Sequence, residues 1–218
     1  MKKISVIVCM MLCFVLLTAC KGGDDSKSSE SSSGSLAGRW RRGSSDVIEL
    51  KEDGTFLWEL GSAAYDWTGK WDTKKIKIGD EDDGRYYDIV EAGKNFMRIR
   101  WMNNEETETI YRMGSNALIG RWTLEETNAT KGAPSIFGTA GDMQNNYATF
   151  ILEFKTDGIC SETYSMMRNL NTTNDYSYGV EGSQLYMFTN GEKMGFKVDG
   201  NTLTLTEDSY TITLKKME

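Results

Sequence analysis

The chain has 218 residues, with 25 Lys+Arg, 32 Asp+Glu, four Cys and no His, and carries a net charge of −7 at pH 7. Without histidine there is no Ser-His-Asp or Cys-His site, no HExxH zinc site and no His-ligated haem or iron. The acidic balance argues against broad electrostatic binding to nucleic acid or to an anionic membrane face, while 26% charged and 39% hydrophobic residues suit a folded chain.

Met1-Lys2-Lys3 is a short basic start, and Ile4 to Thr18 is a run without formal charge. Such a run is short for a spanning helix, which needs about 20 residues, and suits the apolar core of an export signal. It ends Leu17-Thr18-Ala19-Cys20, which resembles the bacterial lipoprotein lipobox. That resemblance implies cleavage before Cys20 and acylation of Cys20, with palmitate-type chains holding the protein to a membrane. Residues 1–19 are thus read as a signal peptide. They hold two Lys and no acid, so removal deepens the charge from −7 to −9. Cys9 and Cys13 leave with the signal, and only Cys160 stays free, so no intrachain disulfide is expected.

Residues 20–35 form the lipidated tether. After Cys20 they read KGGDDSKSSESSSGS, with no apolar residue, so a disordered linker is expected. Its r.m.s. reach is roughly 20 Å, at about 5–6 Å × √n. Lys21, Asp24 and Asp25 resemble the acidic surface-export signal of Bacteroidetes lipoproteins. The implied location is the outer membrane, with the cell surface favoured over the periplasm.

The remainder is a duplication. Leu36-Ala-Gly38-Arg39-Trp40 recurs as Leu118-Ile-Gly120-Arg121-Trp122, and Glu49-Leu-Lys51-Glu-Asp53-Gly54 recurs as Glu153-Phe-Lys155-Thr-Asp157-Gly158. The offset grows from 82 to 104 between these pairs, so the second copy carries an insertion. Two domains, 36–115 and 116–218, are expected, with a long loop at 127–146 in the second.

Apolar residues alternate in period two, as in Phe56/Trp58/Leu60, Ile76/Ile78 and Met97/Ile99/Trp101. Turn pairs such as Asp53-Gly54, Asp157-Gly158 and Asp199-Gly200 separate the runs. Strands are predicted near 38–42, 46–52, 55–60, 64–72, 75–79, 85–91, 96–102 and 107–113. In the second copy they are predicted near 120–126, 147–155, 159–166, 174–181, 184–189, 193–198, 202–207 and 210–217. Consecutive hairpins without helical crossovers imply an antiparallel meander, and eight such strands close into a barrel that has no edges. The expected class is all-β, two tandem eight-stranded meander barrels.

Gly-x-Trp at the first strand of an eight-stranded meander resembles the lipocalin-like (calycin) family. The resemblance implies that Trp40 and Trp122 plug the closed ends. It also implies that Arg112 packs over the plug in the first copy, with Lys215 or Lys216 in its place in the second. Tandem small domains of this kind are similar to those of Bacteroidetes lipoproteins.

Function has fewer handles. Trp58, Trp67, Trp71 and Trp101 fall on the apolar phase, where they either fill a core or offer a stacking platform for sugar rings. Aligning the Asp-Gly turns sets Cys160, Glu162 and Tyr164 against Phe56, Trp58 and Leu60, a shift from aromatic to mixed polar. If that face points inward, Glu162, Tyr164, Tyr176 and Tyr178 are candidate ligand contacts, because a buried carboxylate needs a partner. Ile136 and Phe137, in the long insertion, are candidate lid residues over a mouth. The acidic run Gly79–Gly84 fails the EF-hand spacing and reads as a solvated hairpin tip. No catalytic or metal-ligating set is found and no cofactor is expected. The chain reads as a lipid-anchored, non-enzymatic binding protein for a small apolar or glycan-type ligand. The alternative is a structural or interaction lipoprotein with solid barrels that bind a protein partner.

Overall fold

The structure is a computed structural model that describes residues 35–61, 65–79, 84–114, 116–130, 132–145, 149–166, 170–189 and 191–218. The signal segment, Cys20 and nearly all of the tether lie outside the described residues, as do Asp80–Asp83 of the acidic tip.

Two antiparallel eight-stranded barrels follow one another, each closed on itself. The first comprises β1 (Gly38–Arg42), β2 (Asp46–Leu50), β3 (Thr55–Glu59), β4 (Trp67–Trp71), β5 (Lys75–Ile78), β6 (Arg85–Ala92), β7 (Phe96–Trp101) and β8 (Glu108–Arg112). The second comprises β9 (Gly120–Thr127), β10 (Thr149–Phe154), β11 (Ile159–Met166), β12 (Leu170–Glu181), β13 (Gln184–Met187), β14 (Glu192–Asp199), β15 (Thr202–Glu207) and β16 (Tyr210–Lys216). Between β9 and β10 lies one helix, α1 (Ser135–Asn145). Strand neighbours follow chain order, and β8 and β16 return to pair with β1 and β9.

The alternation read from the sequence becomes an inward row. Phe56, Trp58, Ile76, Ile78, Met97 and Ile99 are buried in the first core, and Leu152, Phe154, Leu185, Leu203 and Leu205 in the second. The hairpins repeat between copies. Gly54 and Gly158 sit at φ +81° and +76°, a left-handed region where a side chain is strained. In each turn the preceding aspartate accepts the backbone N–H two residues on, Asp53 from Thr55 at 2.9 Å and Asp157 from Ile159 at 3.0 Å.

β12 starts at Leu170, four residues before the predicted 174. Asn171, Thr172 and Thr173, outside the predicted strand, pair with Ser165, Tyr164 and Thr163 of β11. Thr163 and Thr173 also join their hydroxyls at 3.2 Å.

The plugs also repeat. Trp40 and Trp122 are fully buried, and each indole N–H donates to the carbonyl four residues upstream, Leu36 at 2.9 Å and Leu118 at 2.7 Å. Arg112 lies over the Trp40 ring at 4.3 Å, and Lys216, rather than Lys215, lies over Trp122 at 5.4 Å. Gly38 and Gly120 leave the room: a Cβ on Gly38 would stand 2.8 Å from Arg112 Nη1, and one on Gly120 would stand 3.2 Å from Lys216 Cε. Arg112 also donates to the carbonyls of Ala37, Ser35 and Lys94 at 2.8–2.9 Å, so it ties the entry of β1 to the β6–β7 turn.

The barrels share an interface. Arg41, buried at the end of β1, donates from Nη2 to the Asp157 carbonyl at 2.7 Å, and Ser177 Oγ donates to the Ser44 carbonyl at 2.8 Å. Tyr111 stacks near Tyr186 and Phe188, with centroids 5.0 and 5.5 Å away. Gly179 admits that ring, since a Cβ there would lie 2.2 Å from Tyr111 Cγ. Arg98 bridges Glu91 of its own barrel and Glu181 of the other.

Replacing Arg112 with Ala removes three hydrogen bonds and a cation–π contact, and is expected to cost about 2–3 kcal/mol. Lys216→Ala is expected to cost under about 1 kcal/mol, since its head group is exposed. Urea unfolding of the two variants checks the order; equal losses would exclude a special role for the Arg112 hydrogen bonds.

Candidate functional site

Three places bear on function, and they are built differently. The first is the interior of the second barrel. β11 pairs Glu162 with Leu152 on one side and Asn174 on the other, and Leu152 is wholly buried. Glu162 therefore points inward, and it is 1% exposed. Its Oε2 accepts the Tyr176 hydroxyl at 2.8 Å and the Asn174 amide at 3.1 Å. Its Oε1 is buried and has no hydrogen-bond partner among the described residues. Burial and then the Glu162 contact push the Tyr176 hydroxyl up, so it stays a donor throughout the neutral range.

The remaining candidates of that barrel do not converge on Glu162. Tyr164 packs against the core from the next inward position of β11. Tyr178 sits toward the plugged end, where its hydroxyl donates to the Lys155 carbonyl at 3.0 Å and accepts from Asn116 at 3.2 Å. Its ring meets Phe154 edge to face at 5.2 Å. Tyr178 thus serves the closed end. Cys160, beside Glu162, is fully buried, and burial pushes its thiol well up, which leaves it unreactive.

The second place is α1. A loop was expected at 127–146, and a helix occupies 135–145 of it. Ile136, Phe137, Ala140 and Met143 are all buried in the core of the second barrel. Those positions recur at helical spacing, the signal that a reading confined to the insertion's length overlooks. The helix packs closely on the segment before it: a Cβ on Gly138 or Gly141 would stand 2.5 Å from the Ala133 or Ala129 carbonyl oxygen. Gln144 accepts the Thr127 N–H at 2.7 Å, and Asn128 bonds Thr211 and Ser209 in the β15–β16 hairpin region. Ile136 and Phe137 therefore fill the mouth of the second barrel instead of roofing an empty one.

The third place is the mouth of the first barrel, at the end opposite Trp40. Among the described residues no helix or long insertion covers it, and β1 joins β2 through Gly43–Ser45 alone. A cleft of about 400 Å³ opens there, lined by Trp67, Tyr87, Trp101, Arg42, Asn104 and Glu108, among others. The aromatic rings form a chain: Trp67 to Trp58 at 5.5 Å, Trp58 to Tyr87 at 5.1 Å, and Tyr87 to Trp101 at 4.8 Å. Trp58 is fully buried beneath them, whereas Trp67 and Trp101 are only half buried. The four tryptophans singled out by phase thus divide: Trp58 fills the core, while Trp67, Trp101 and Trp71 line clefts.

Polar groups gather beside those rings. Arg42 donates to Glu108 at 2.7 Å and to Asp46 at 3.2 Å, and lies over Trp58 at 5.2 Å. Burial alone lowers the Arg42 pKa, but the two carboxylates outweigh it and the net shift is upward, so the guanidinium stays charged. Arg42, Asn104 and Glu108 were not selected from sequence. Only barrel closure carries the ends of β1 and β8 to one rim.

Comparisons with protein-family models, curated proteins and solved structures find no match to this chain.

Phe137→Ala empties a fully buried ring site and is expected to cost about 3–5 kcal/mol. Tyr176→Phe removes one donor from a buried carboxylate and is expected to cost about 1.5–3 kcal/mol. Denaturant unfolding monitored by circular dichroism measures both. A Phe137→Ala loss below 1 kcal/mol would show that α1 is not part of the folded core.

Proposed function

We propose that this chain is an exported, lipid-anchored binding protein whose ligand site is the mouth of the first barrel. The observation that carries the reading is the half-buried pair Trp67 and Trp101 on one cleft with Tyr87, Arg42 and Glu108. Cavities of roughly 300–1,000 Å³ with aromatic walls and a few fixed polar groups are the usual form of small-ligand sites. Ring faces take the C–H face of a sugar or another flat, partly apolar ring. Arg42 donates and Glu108 accepts, which suits a ligand bearing several hydroxyls. The ligand class that fits is a glycan fragment of one or two rings.

The anchor is read from Leu17-Thr18-Ala19-Cys20. Acylation at Cys20 would hold the barrels near a membrane, and the acidic residues that follow support display at the outer membrane's surface. The reading of solid barrels that bind a protein partner is favoured by one observation, the filled mouth of the second barrel. It predicts that the two barrels act as a scaffold and that the cleft is idle.

Titration of a panel of mono- and disaccharides, followed by tryptophan fluorescence and calorimetry, tests the site. Trp67→Ala/Trp101→Ala is expected to weaken a hit at least tenfold without loss of fold, at about 1 kcal/mol or more per stacked ring. Binding unchanged in that variant would move the site elsewhere, and the absence of any hit would favour the scaffold reading. Separately, Cys20→Ser is expected to shift the protein from the membrane fraction to the soluble one, with loss of the acyl mass.

A further inference from the structure

The cleft at the mouth of the first barrel sets its aromatic walls beside an excess of carboxylate. Among the described residues its wall holds one cation, Arg42, and two acids, Glu106 and Glu108. Arg42 is already matched, since Nε donates to Glu108 at 2.7 Å and Nη1 to Asp46 at 3.2 Å. With Asp46 included, three carboxylates stand against one guanidinium. Glu106 is the unmatched one: it is exposed, and among the described residues its carboxylate has no ion pair. Arg85 and Arg100, the basic residues nearest the mouth on β6 and β7, are not on the wall, and Arg100 lies 3.4 Å from Asp88.

The rings add a second preference that does not depend on that count. Trp67 and Trp101 are half buried on the wall, and Tyr87 stands edge to face with Trp101 at 4.8 Å. A ring face attracts a cation held within about 6 Å of its centroid, most strongly for tryptophan. The cluster already holds one cation in this way, with Arg42 at 5.2 Å over Trp58. Burial pulls the Arg42 pKa down, yet Glu108 and its neighbours outweigh burial, so the local field favours positive charge.

We propose that the mouth of the first barrel selects ligands that carry an ammonium group, and that among glycans it takes a hexosamine with a free amine. The proposal rests on the reading of this mouth as the ligand site. The sugar ring stacks on tryptophan, the ammonium sits at Glu106, and hydroxyls meet Asn104 and Thr107. Acetylation of the amine removes its charge, so the N-acetyl sugar loses the gain. A sugar carboxylate would bring a fourth negative group to a site whose one guanidinium is engaged, and it is disfavoured.

Titration of the purified protein at low salt with glucosamine, glucose, N-acetylglucosamine and glucuronate is the test, read by tryptophan fluorescence and calorimetry. Choline and its uncharged isostere 3,3-dimethylbutan-1-ol form a second pair without a sugar ring. Glucosamine is expected to bind about tenfold tighter than glucose or N-acetylglucosamine, the scale of one cation–π contact beside a carboxylate. Glucuronate is expected to bind most weakly. Glu106→Gln is expected to cut the glucosamine preference about threefold, and Glu106→Lys to shift it toward glucuronate. Glu105→Gln, one position away and off the wall, is expected to leave the preference unchanged. Equal affinities across the charge series, or equal effects of Glu105→Gln and Glu106→Gln, would overturn the proposal and leave the mouth a glycan site. Choline binding above its isostere, lost in Trp67→Ala/Trp101→Ala, with no sugar bound, would keep the selection for ammonium and remove the glycan reading. Binding of neither glucosamine nor choline would overturn the proposal.

Discussion

Each barrel closes around a tryptophan that is held by its edge and by its face. The indole N–H of Trp40 or Trp122 has no water to bond once buried, so a carbonyl four residues upstream supplies the acceptor. That bond needs Leu36 or Leu118 to fold back over the strand's start, and the intervening glycine, at φ +136° or +131°, permits the reversal. The cation from the last strand then covers the ring. This arrangement marks the closed end of each barrel, and the mouth is the end opposite it. Its two copies differ in strength: Arg112 adds three carbonyl hydrogen bonds to its ring contact, while Lys216 gives a longer contact from an exposed head group.

After duplication, the copies solved the open end in opposite ways. The first leaves its mouth short-looped and lines it with tryptophan, tyrosine and a charged cluster. The second inserts α1 and fills its mouth with Ile136, Phe137, Ala140 and Met143. Glu162 survives inside the filled barrel because Tyr176 and Asn174 bond one oxygen, although the other has no partner among the described residues. The interface joins the two through buried Arg41 and the Tyr111–Tyr186–Phe188 cluster, so the filled barrel supports the open one.

The inward phase of β11 was legible, because the Asp-Gly turns of the two copies align and a hairpin turn sets the register of the strands beside it. Glu162, Tyr164, Tyr176 and Tyr178 do face inward. What the register did not disclose is their height along the barrel. Tyr178 lies a layer nearer the plug than Tyr176 and bonds Asn116 and Lys155 instead of Glu162. The helix was missed for a related reason: its apolar positions have helical spacing, but its glycines and the proline just before it read as loop. Contact with the barrel's open end stabilises α1 where intrinsic propensity does not.

By itself the sequence determined the duplication, the all-β class, most strand positions and the plug residues. These depend on local alternation, on turn chemistry and on motifs that repeat in both copies. Tertiary structure decided which mouth is open, that Ile136 and Phe137 fill the other, and that Arg42, Glu108, Trp67 and Trp101 share one rim. Only closure of the meander brings the first and last strands together, so side chains far apart in the sequence meet at one rim.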